Sequence, residues 1–207
     1  ITFHGQQAHG SQPQDSIDPI LMAAHAVTRL QGVVSRETDP RDPAVVTVGT
    51  FHAGLKENII PDSAEIALNV RTFSAASRDT VLSAIERIVR AEAQASGAPE
   101  PSVRTIARFP HCHNDDEQSA RVAAALRAEL GEDHVIDGRP LMGSEDVGAL
   151  ADAIDVPLVY WFFGGFEGED PAAFPGNHSP HFGPAMAPAL DAGHRAALAG
   201  LLAYVGR

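Results

Sequence analysis

The chain has 207 residues, of which 44% are hydrophobic and 20% are charged, so it is long enough for one or two globular domains with a buried core. Its formal net charge of -12 argues against a nucleic-acid-binding protein and a polybasic membrane-surface protein. A single cysteine, Cys112, excludes an intramolecular disulfide framework, and no stretch approaches the roughly 18 apolar residues that span a bilayer. These properties favour a cytoplasmic protein without nucleic-acid or membrane partners.

The first half of the chain predicts one small domain, residues 1–109. Its predicted elements are a strand at 1–4, a helix at 17–34, strands at 44–53 and 64–73, a helix at 77–96 and a strand at 102–109. Helical spacing of apolar residues marks the helices, and β-branched or alternating residues mark the longer strands. Asp15 or Ser16 is the predicted cap of the first helix, and Ser77 that of the second. This order predicts a ferredoxin-like β-α-β-β-α-β domain, with a four-stranded sheet and two helices on one face.

Residues 110–207 predict a different architecture. The predicted elements are a helix at 116–130, a short strand at 134–136, a helix at 144–153, a buried strand at 156–163 and a helix at 188–205. Alternating helices and buried strands are typical of an α/β domain with a mainly parallel sheet. Two strands are too few for such a sheet, and the chain opens directly in a strand. We therefore expect the remaining strands to lie upstream of residue 1.

Two histidines lie in a loop rich in proline and glycine, Gly176-Asn177-His178-Ser179-Pro180-His181-Phe182. Proline and glycine disfavour any regular element there, so the imidazoles are carried on a loop. A His-x-x-His spacing without a neighbouring cysteine or carboxylate is not a specific metal signal. On the residues alone, His178 and His181 are either metal ligands or ordinary loop histidines.

A second loop combines glycine, serine and two carboxylates. Ser144 is the predicted cap of the helix at 144–153, with Glu145 and Asp146 in its first turn. The backbone of Gly143 and Ser144 at that helix terminus could bind a developing oxyanion or a substrate carboxylate. Helix capping alone is the alternative, because carboxylates in the first turn would compete with an incoming anion.

The segment His111-Cys112-His113 could indicate a thiol nucleophile or an additional metal site. Adjacent residues on an extended segment point to opposite sides, and the sequence shows no third partner. Neither function is favoured.

Four stretches form motifs that occur in a fixed order. They are Ala8-His9-Gly10-Ser11-Gln12-Pro13 with Ile17-Asp18-Pro19-Ile20; Glu57-Asn58-Ile59-Ile60-Pro61 with Asn69-Val70-Arg71-Thr72-Phe73; Met142-Gly143-Ser144-Glu145-Asp146; and Asn177-His178-Ser179-Pro180-His181-Phe182. Together they resemble the peptidase family M20 amidohydrolases, and among these the hippurate hydrolases, N-acyl-amino-acid amidohydrolases and auxin-conjugate hydrolases. Each motif alone is weak, but four in order, over essentially the whole chain, are a specific signal.

The resemblance implies a hydrolase with two divalent metal ions, usually zinc and sometimes manganese, nickel or cobalt. In such enzymes a metal-bound water attacks the amide carbonyl and a glutamate acts as general base. It also implies that residues 1–109 are a lid and dimerisation domain, and that residues 110–207 are the C-terminal portion of a zinc-peptidase-like catalytic domain. The family's His-Asp-x-His and paired-glutamate ligand motifs are absent from this sequence.

The resemblance also implies roles for individual residues. His178 would be the one metal ligand that this chain supplies, and His181 a loop residue. His9 would reach across a dimer and stabilise the tetrahedral oxyanion, while Asn58 and Arg71 would bind the substrate carboxylate or carbonyl, with Gly143 and Ser144 as further substrate contacts. Positioned donors stabilise developing charge, and arginine binds a carboxylate bidentately. Without the resemblance, these are ordinary loop, turn and strand-surface residues.

The leading hypothesis is a homodimeric, metal-dependent amidohydrolase that cleaves N-acyl amino acids or small peptides. The alternative is a non-catalytic dimerising or binding module, and a third possibility is a single-metal protein that uses His178 and His181. The 207-residue chain alone is expected to show no hydrolase activity and weak or no metal binding, because most of the ligands are missing.

Overall fold

The computed structural model describes residues 1–143, 145–168 and 170–206, which form two compact units. The first unit contains Ile1–Phe109 together with Met142 and Gly143, and the second contains Pro110–Leu141 and the residues from Glu145 onward. No helix in the described ranges is long and apolar enough to cross a membrane. The elements are β1 Thr2–His4, β2 Ala8–His9, α1 Pro19–Glu37, β3 Ala44–Ala53, β4 Ile59–Ile60, β5 Ser63–Thr72, α2 Ala75–Ala95, α3 Asp116–Leu130, α4 Gly148–Ile154 and α5 Met186–Val205.

The first unit is built around β5, which pairs antiparallel with β1 on one side and β3 on the other. On the β1 side, the pairing continues past the end of β5. The Gly5 N–H donates to the Asp62 carbonyl at 2.8 Å, and β2 then pairs antiparallel with β4. Neither β2 nor β4 is among the strands predicted from the sequence, because a two-residue strand carries no alternation that could reveal it.

The core of this unit lies between one face of the sheet and the helices α1 and α2. Alternate residues of β5, such as Ala64 and Ile66, are buried, as strand geometry requires for a sheet covered on one face. The largest fully buried side chains there are Phe3, Met22, Leu30, Val33, Ile66, Val81 and Val89.

The two helices begin at caps other than those predicted from the sequence. Asp18 caps α1, because its Oδ1 accepts from the Ile20 and Leu21 N–H groups at 2.9 and 3.2 Å. Ser74 caps α2 by accepting from the Ser77 N–H at 3.0 Å. The predictions of Asp15 or Ser16 and of Ser77 were therefore wrong by two or three residues, a common error at helix boundaries.

The strand predicted at residues 102–109 is absent from the described structure except for one bridge. Ser102 pairs antiparallel with Thr2, and both backbone hydrogen bonds between them measure 2.9 Å. Residues 103–109 have no regular secondary structure. The described sheet therefore has three strands rather than the four that were predicted.

The second unit consists of helices and extended segments, and no strand occurs in its described residues. Residues 134–136 begin in a 3-10 turn, Glu132–His134, and residues 156–163 form no β-ladder, so both strand predictions were wrong. Helices α3 and α5 pack together over Val122, Leu126 and Ala196. The Phe163 ring lies close to Gly193 of α5. A Cβ atom added to Gly193 would be 2.9 Å from the ring.

Replacing the observed cap tests how the first helix begins. Asp18→Ala removes the acceptor of two backbone N–H groups, so we expect the free energy of unfolding to fall by about 1 kcal/mol. Urea denaturation followed by circular dichroism measures this change. Asp15→Ala is the matched control and should change the free energy by less than about 0.5 kcal/mol. A larger effect at Asp15 than at Asp18 would contradict the assignment.

Candidate substrate-binding and catalytic site

The structure brings His9 and Asn58 together at one end of the first unit. His9 lies on β2 opposite Ile59 of β4, and the Gly10 N–H donates to the Asn58 carbonyl at 2.8 Å. Both side chains are exposed. His9 Nδ1 contacts Ser11, at 3.1 Å from the backbone nitrogen and 2.8 Å from Oγ. An imidazole on β2 and an amide in the turn just before β4 thus lie side by side, and both can donate hydrogen bonds.

Arg71 lies near the other end of β5, on the face opposite the helices. Its Nε donates to Asn69 Oδ1 at 2.8 Å, and its Nη1 donates to the Met142 carbonyl at 2.6 Å. Asn69 and Arg71 share this face because they are two residues apart on a strand. The guanidinium thus contacts the residue before Gly143, which is exposed.

His9 and Arg71 of one chain lie at opposite ends of the β5 ladder. Ser63 to Arg71 is eight residue steps along β5, or about 26 Å at the rise of a β-strand. The ladder continues beyond Ser63 in the other direction before it reaches His9. A small substrate cannot contact both side chains of the same chain.

The loop of the second unit that carries His178 has an unusual backbone. His178 has φ of +69°, in the left-handed region, and the Ser179 N–H donates to the Gly176 carbonyl at 3.1 Å, which closes a turn. A non-glycine residue there costs about 1 kcal/mol or more, and such positions occur often at functional sites. His178 and His181 are both exposed, and neither imidazole has a hydrogen-bond partner among the described residues.

Glu145 makes a hydrogen-bond network that the sequence did not reveal. Its carboxylate accepts from the Asp146 N–H at 2.9 Å and from the Tyr160 hydroxyl at 3.0 Å. The Tyr160 hydroxyl is the main reason that the pKa of Glu145 is lowered, and the Val147 and Asp146 N–H groups add to it. In return, this hydrogen bond raises the pKa of Tyr160.

Tyr160 is itself held by the side chain of Asn114. The Asn114 amide donates to the Tyr160 carbonyl and accepts from the Tyr160 N–H, both at 2.7 Å. One side chain therefore satisfies the two backbone groups that a neighbouring strand would otherwise pair. This contact links residues 156–163 to the start of α3, whose cap is Asp115.

The helix after the Gly-Ser-Glu-Asp motif begins later than predicted. Helix α4 starts at Gly148, and the residue before it, Val147, provides no side-chain cap. Gly143 is thus five residues from the helix, so the prediction that its backbone lies at a helix N-terminus was wrong. Ser144, the other predicted member of that site, lies outside the described residues.

The His111-Cys112-His113 segment shows no sign of an activated thiol. Burial, followed by the charge of Glu145, raises the pKa of Cys112, which favours the unreactive thiol over the thiolate. The rings of His111 and His113 stack with centroids 5.7 Å apart, on the same side of the extended segment.

The described residues do not form a complete metal centre. No group of three His, Cys, Asp or Glu side chains among them could hold a metal ion. His178, exposed on its turn, fits the role of a single ligand, but one imidazole does not fix a metal ion. The residues present therefore do not fit a two-metal site by themselves.

Comparison with known proteins identifies the family. Residues 1–97 match the peptidase dimerisation domain of the M20 family. The chain is 34% identical over 182 residues to the IAA-amino acid hydrolase ILR1-like 4 of Arabidopsis thaliana, a match that covers 86% of this chain and 40% of the relative. It belongs to peptidase family M20. Its relatives include M20 hydrolases named for the cleavage of hippurate and of IAA-amino acids.

Two further matches agree with this assignment. The hippurate hydrolase of Campylobacter jejuni is 37% identical over 149 residues, which cover 72% of this chain and 39% of the relative. The crystal structure of the Bacillus subtilis YXEP protein, described as a dinuclear metal binding peptidase from the M20 family, has the same fold, with a TM-score of 0.67 and 24% identity over 98% of this chain and 49% of that one. The M20 chain thus spans less than half the length of these relatives.

Removing the Tyr160 hydroxyl tests the network around Glu145. In Tyr160→Phe, the pKa of Glu145 should rise towards its ordinary value, because the main cause of its lowering is gone. A carboxyl group whose pKa is lower in the folded than in the unfolded state stabilises the fold at pH values above the unfolded-state pKa. This stabilisation is lost as the pH falls through the folded-state pKa. The variant should therefore lose stability relative to the wild type at neutral pH, and the difference should shrink in acid.

The measurements are a carboxyl-carbon NMR titration of Glu145 and urea denaturation across the acidic range. Tyr204→Phe is the matched control, since the Tyr204 hydroxyl bonds to Gln118 at 3.0 Å and not to a carboxylate. An unchanged titration of Glu145 in Tyr160→Phe would show that the hydroxyl does not hold this carboxylate.

Proposed function

We propose that this M20 chain is part of a homodimeric, metal-dependent amidohydrolase that cleaves the amide bond of N-acyl amino acids or small peptides. The names of the hydrolase relatives support the reaction class. In the proposed enzyme, the first unit is the lid and dimerisation domain, completed to a ferredoxin-like sheet, and the second unit is the C-terminal portion of the catalytic domain. Several large apolar side chains of the second unit are exposed, which supports a further segment of the proposed enzyme that covers them. They include Ile136, Phe162, Phe163 and Leu190.

The observation that carries the proposal is the distance between His9 and Arg71. These two side chains are the candidate groups for the oxyanion and the substrate carboxylate. In one chain, the length of β5 from Ser63 to Arg71, about 26 Å, is only part of the ladder that lies between them. If both act on one small substrate, they come from two chains. A two-fold dimer provides two such sites, each with His9 of one subunit and Arg71 of the other.

Each residue of this chain has a distinct role in the proposed reaction. Arg71, oriented by Asn69, holds the substrate carboxylate, and Asn58 donates to the substrate carbonyl. His9 donates a hydrogen bond to the oxygen that becomes negatively charged, where a positioned donor stabilises the transition state. His178 contributes one ligand to the metal ions, which supply the activation of water when bound.

The alternative is a dimerising module without catalysis, since the family's His-Asp-x-His and paired-glutamate ligand motifs are absent from this sequence. Elemental analysis and an N-acyl amino acid hydrolysis assay distinguish the two. The segment alone should bind little zinc and show no turnover. The longer enzyme should bind zinc and hydrolyse the N-acyl amino acid. Robust turnover by the segment alone would contradict the account of its missing ligands.

Mixing two inactive variants tests the two-subunit site. In the complete enzyme, His9→Ala and His178→Ala should each abolish most of the turnover. After subunit exchange, half of the dimers contain one subunit of each variant. In each of these hybrids, one of the two sites has both histidines. About a quarter of wild-type activity should therefore return. Hydrolysis of an N-acyl amino acid before and after exchange measures this recovery.

If His9 serves the site of its own chain, every site in the hybrid lacks one histidine and no activity returns. That outcome would contradict the two-subunit arrangement. His52→Ala mixed with His178→Ala is the control for losses during handling, since His52 lies elsewhere on the sheet, opposite Glu65. Its activity should stay at about half that of the wild type before and after exchange.

The role of Arg71 gives a separate prediction. Arg71→Lys keeps the charge but loses bidentate binding, so KM for an N-acyl amino acid should rise about 10- to 100-fold. Asn69→Ala should also raise KM, but by a smaller factor, because the Arg71 guanidinium loses the acceptor at 2.8 Å that orients it.

Steady-state kinetics with a matched pair of substrates measures both effects. The control substrate is the corresponding N-acyl amino acid amide, which lacks the carboxylate and should show almost no change in KM. An equal loss with both substrates would show that Arg71 does not recognise the carboxylate.

A further inference from the structure

The contact between Ser11 and the ring of His9 determines which ring nitrogen carries the proton. The Ser11 N–H donates to Nδ1 of His9 at 3.1 Å. A backbone N–H can only donate, so Nδ1 must accept with its lone pair. In the neutral imidazole, the proton then lies on Nε2.

The hydroxyl of Ser11 reinforces this arrangement. Ser11 Oγ lies 2.8 Å from the same Nδ1, and its hydrogen can rotate towards the ring. If the proton were on Nδ1, it would point at the Ser11 N–H, and two donors would face each other. Ser11 therefore disfavours the Nδ1–H tautomer by direct contact.

The backbone that carries the ring is also held firmly. His9 pairs with Ile59 in the β2–β4 ladder, the Gln12 N–H donates to the His9 carbonyl at 2.8 Å, and the Gly10 N–H donates to Asn58. Gly10 lies so close to Asn58 that an added Cβ would be 3.2 Å from the Asn58 carbonyl oxygen. The side chain of His9 is exposed, and Nε2 has no hydrogen-bond partner in the part of the chain that the structure describes.

We propose that Ser11 is a positioning residue that fixes His9 in the Nε2–H tautomer and aims this N–H outward as a hydrogen-bond donor. This inference rests on the proposed function, in which His9 donates to the oxyanion. The opposite tautomer would turn a lone pair towards the developing negative charge and would repel it. Ser11 acts only through His9 and does not contact the substrate.

Nitrogen-15 NMR of the histidine rings in the 207-residue chain tests the tautomer without any assay of activity. For His9 we expect a pyridine-like Nδ1 and a protonated, pyrrole-like Nε2 at a pH where the ring is neutral. His52 is exposed and has no hydrogen-bond partner among the described residues, so it serves as the internal reference for an unrestrained ring. A His9 ring with the same tautomer mixture as His52, or with the proton on Nδ1, would overturn the proposal.

Variants of Ser11 test the consequence in the complete enzyme. Ser11→Ala keeps the backbone N–H but removes the hydroxyl, and kcat should fall roughly 3- to 10-fold, the range for one neutral hydrogen bond, with KM unchanged. Ser11→Thr restores a hydroxyl and should recover most of the rate. Ser16→Ala is the control, since the Ser16 hydroxyl bonds to the Pro13 carbonyl at 2.7 Å and leaves His9 untouched.

The outcomes separate this proposal from the proposed function. If His9→Ala leaves kcat unchanged, the role of His9 in catalysis fails, whatever its tautomer. If His9→Ala is inactive but Ser11→Ala matches the wild type in kcat, the contribution of the Ser11 hydroxyl is overturned. The nitrogen-15 spectrum of His9 then decides whether the Ser11 backbone N–H fixes the tautomer.

Discussion

The antiparallel pairing of β5 is the constraint on which the first unit depends. β5 pairs with β3 along nearly its whole length and with β1 at Ser63–Glu65, and its side chains alternate between the helix-covered face and the open face. Ile66 thereby enters the core, while Asn69 and Arg71 share the opposite surface. The same ladder, extended through Asp62 to β4, carries His9 to the far end. One strand therefore sets both the stability of the unit and the spacing of its candidate functional groups.

Backbone hydrogen bonding explains where the fold departs from sequence-based expectation. A strand exists only when a neighbour accepts and donates its backbone groups, and local residue preference cannot reveal that neighbour. Residues 102–109 have strand-like composition but form only the Ser102–Thr2 bridge. In residues 156–163, Tyr160 pairs with the side chain of Asn114 in place of a strand. Both strand predictions were wrong because composition does not reveal whether a neighbouring strand exists.

Long elements with a strong period were predictable, and contacts between short ones were not. Ala44–Ala53 has the bounds predicted from its β-branched and aromatic residues, and Asp116–Leu130 has those predicted from its alanine-rich composition and the glycine that follows. The placement of Asn69 and Arg71 on one face also followed from the two-residue period of a strand. The pairing of Ala8–His9 with Ile59–Ile60 could not be predicted, since it depends on residues about 50 positions apart. That pairing is what brings His9 beside Asn58, so the motifs indicated the residues but not their geometry.

In the proposed enzyme, catalysis depends on assembly because the candidate site is divided between two subunits. The ladder holds His9 and Arg71 at opposite ends of the first unit, and bending it would break backbone hydrogen bonds and expose part of the core. Closure of a single chain would therefore be an expensive way to bring the two groups to one substrate. In the proposed dimer, association of two chains unites them without deforming either sheet. The ladder that stabilises the first unit would thus also be the reason for a second subunit.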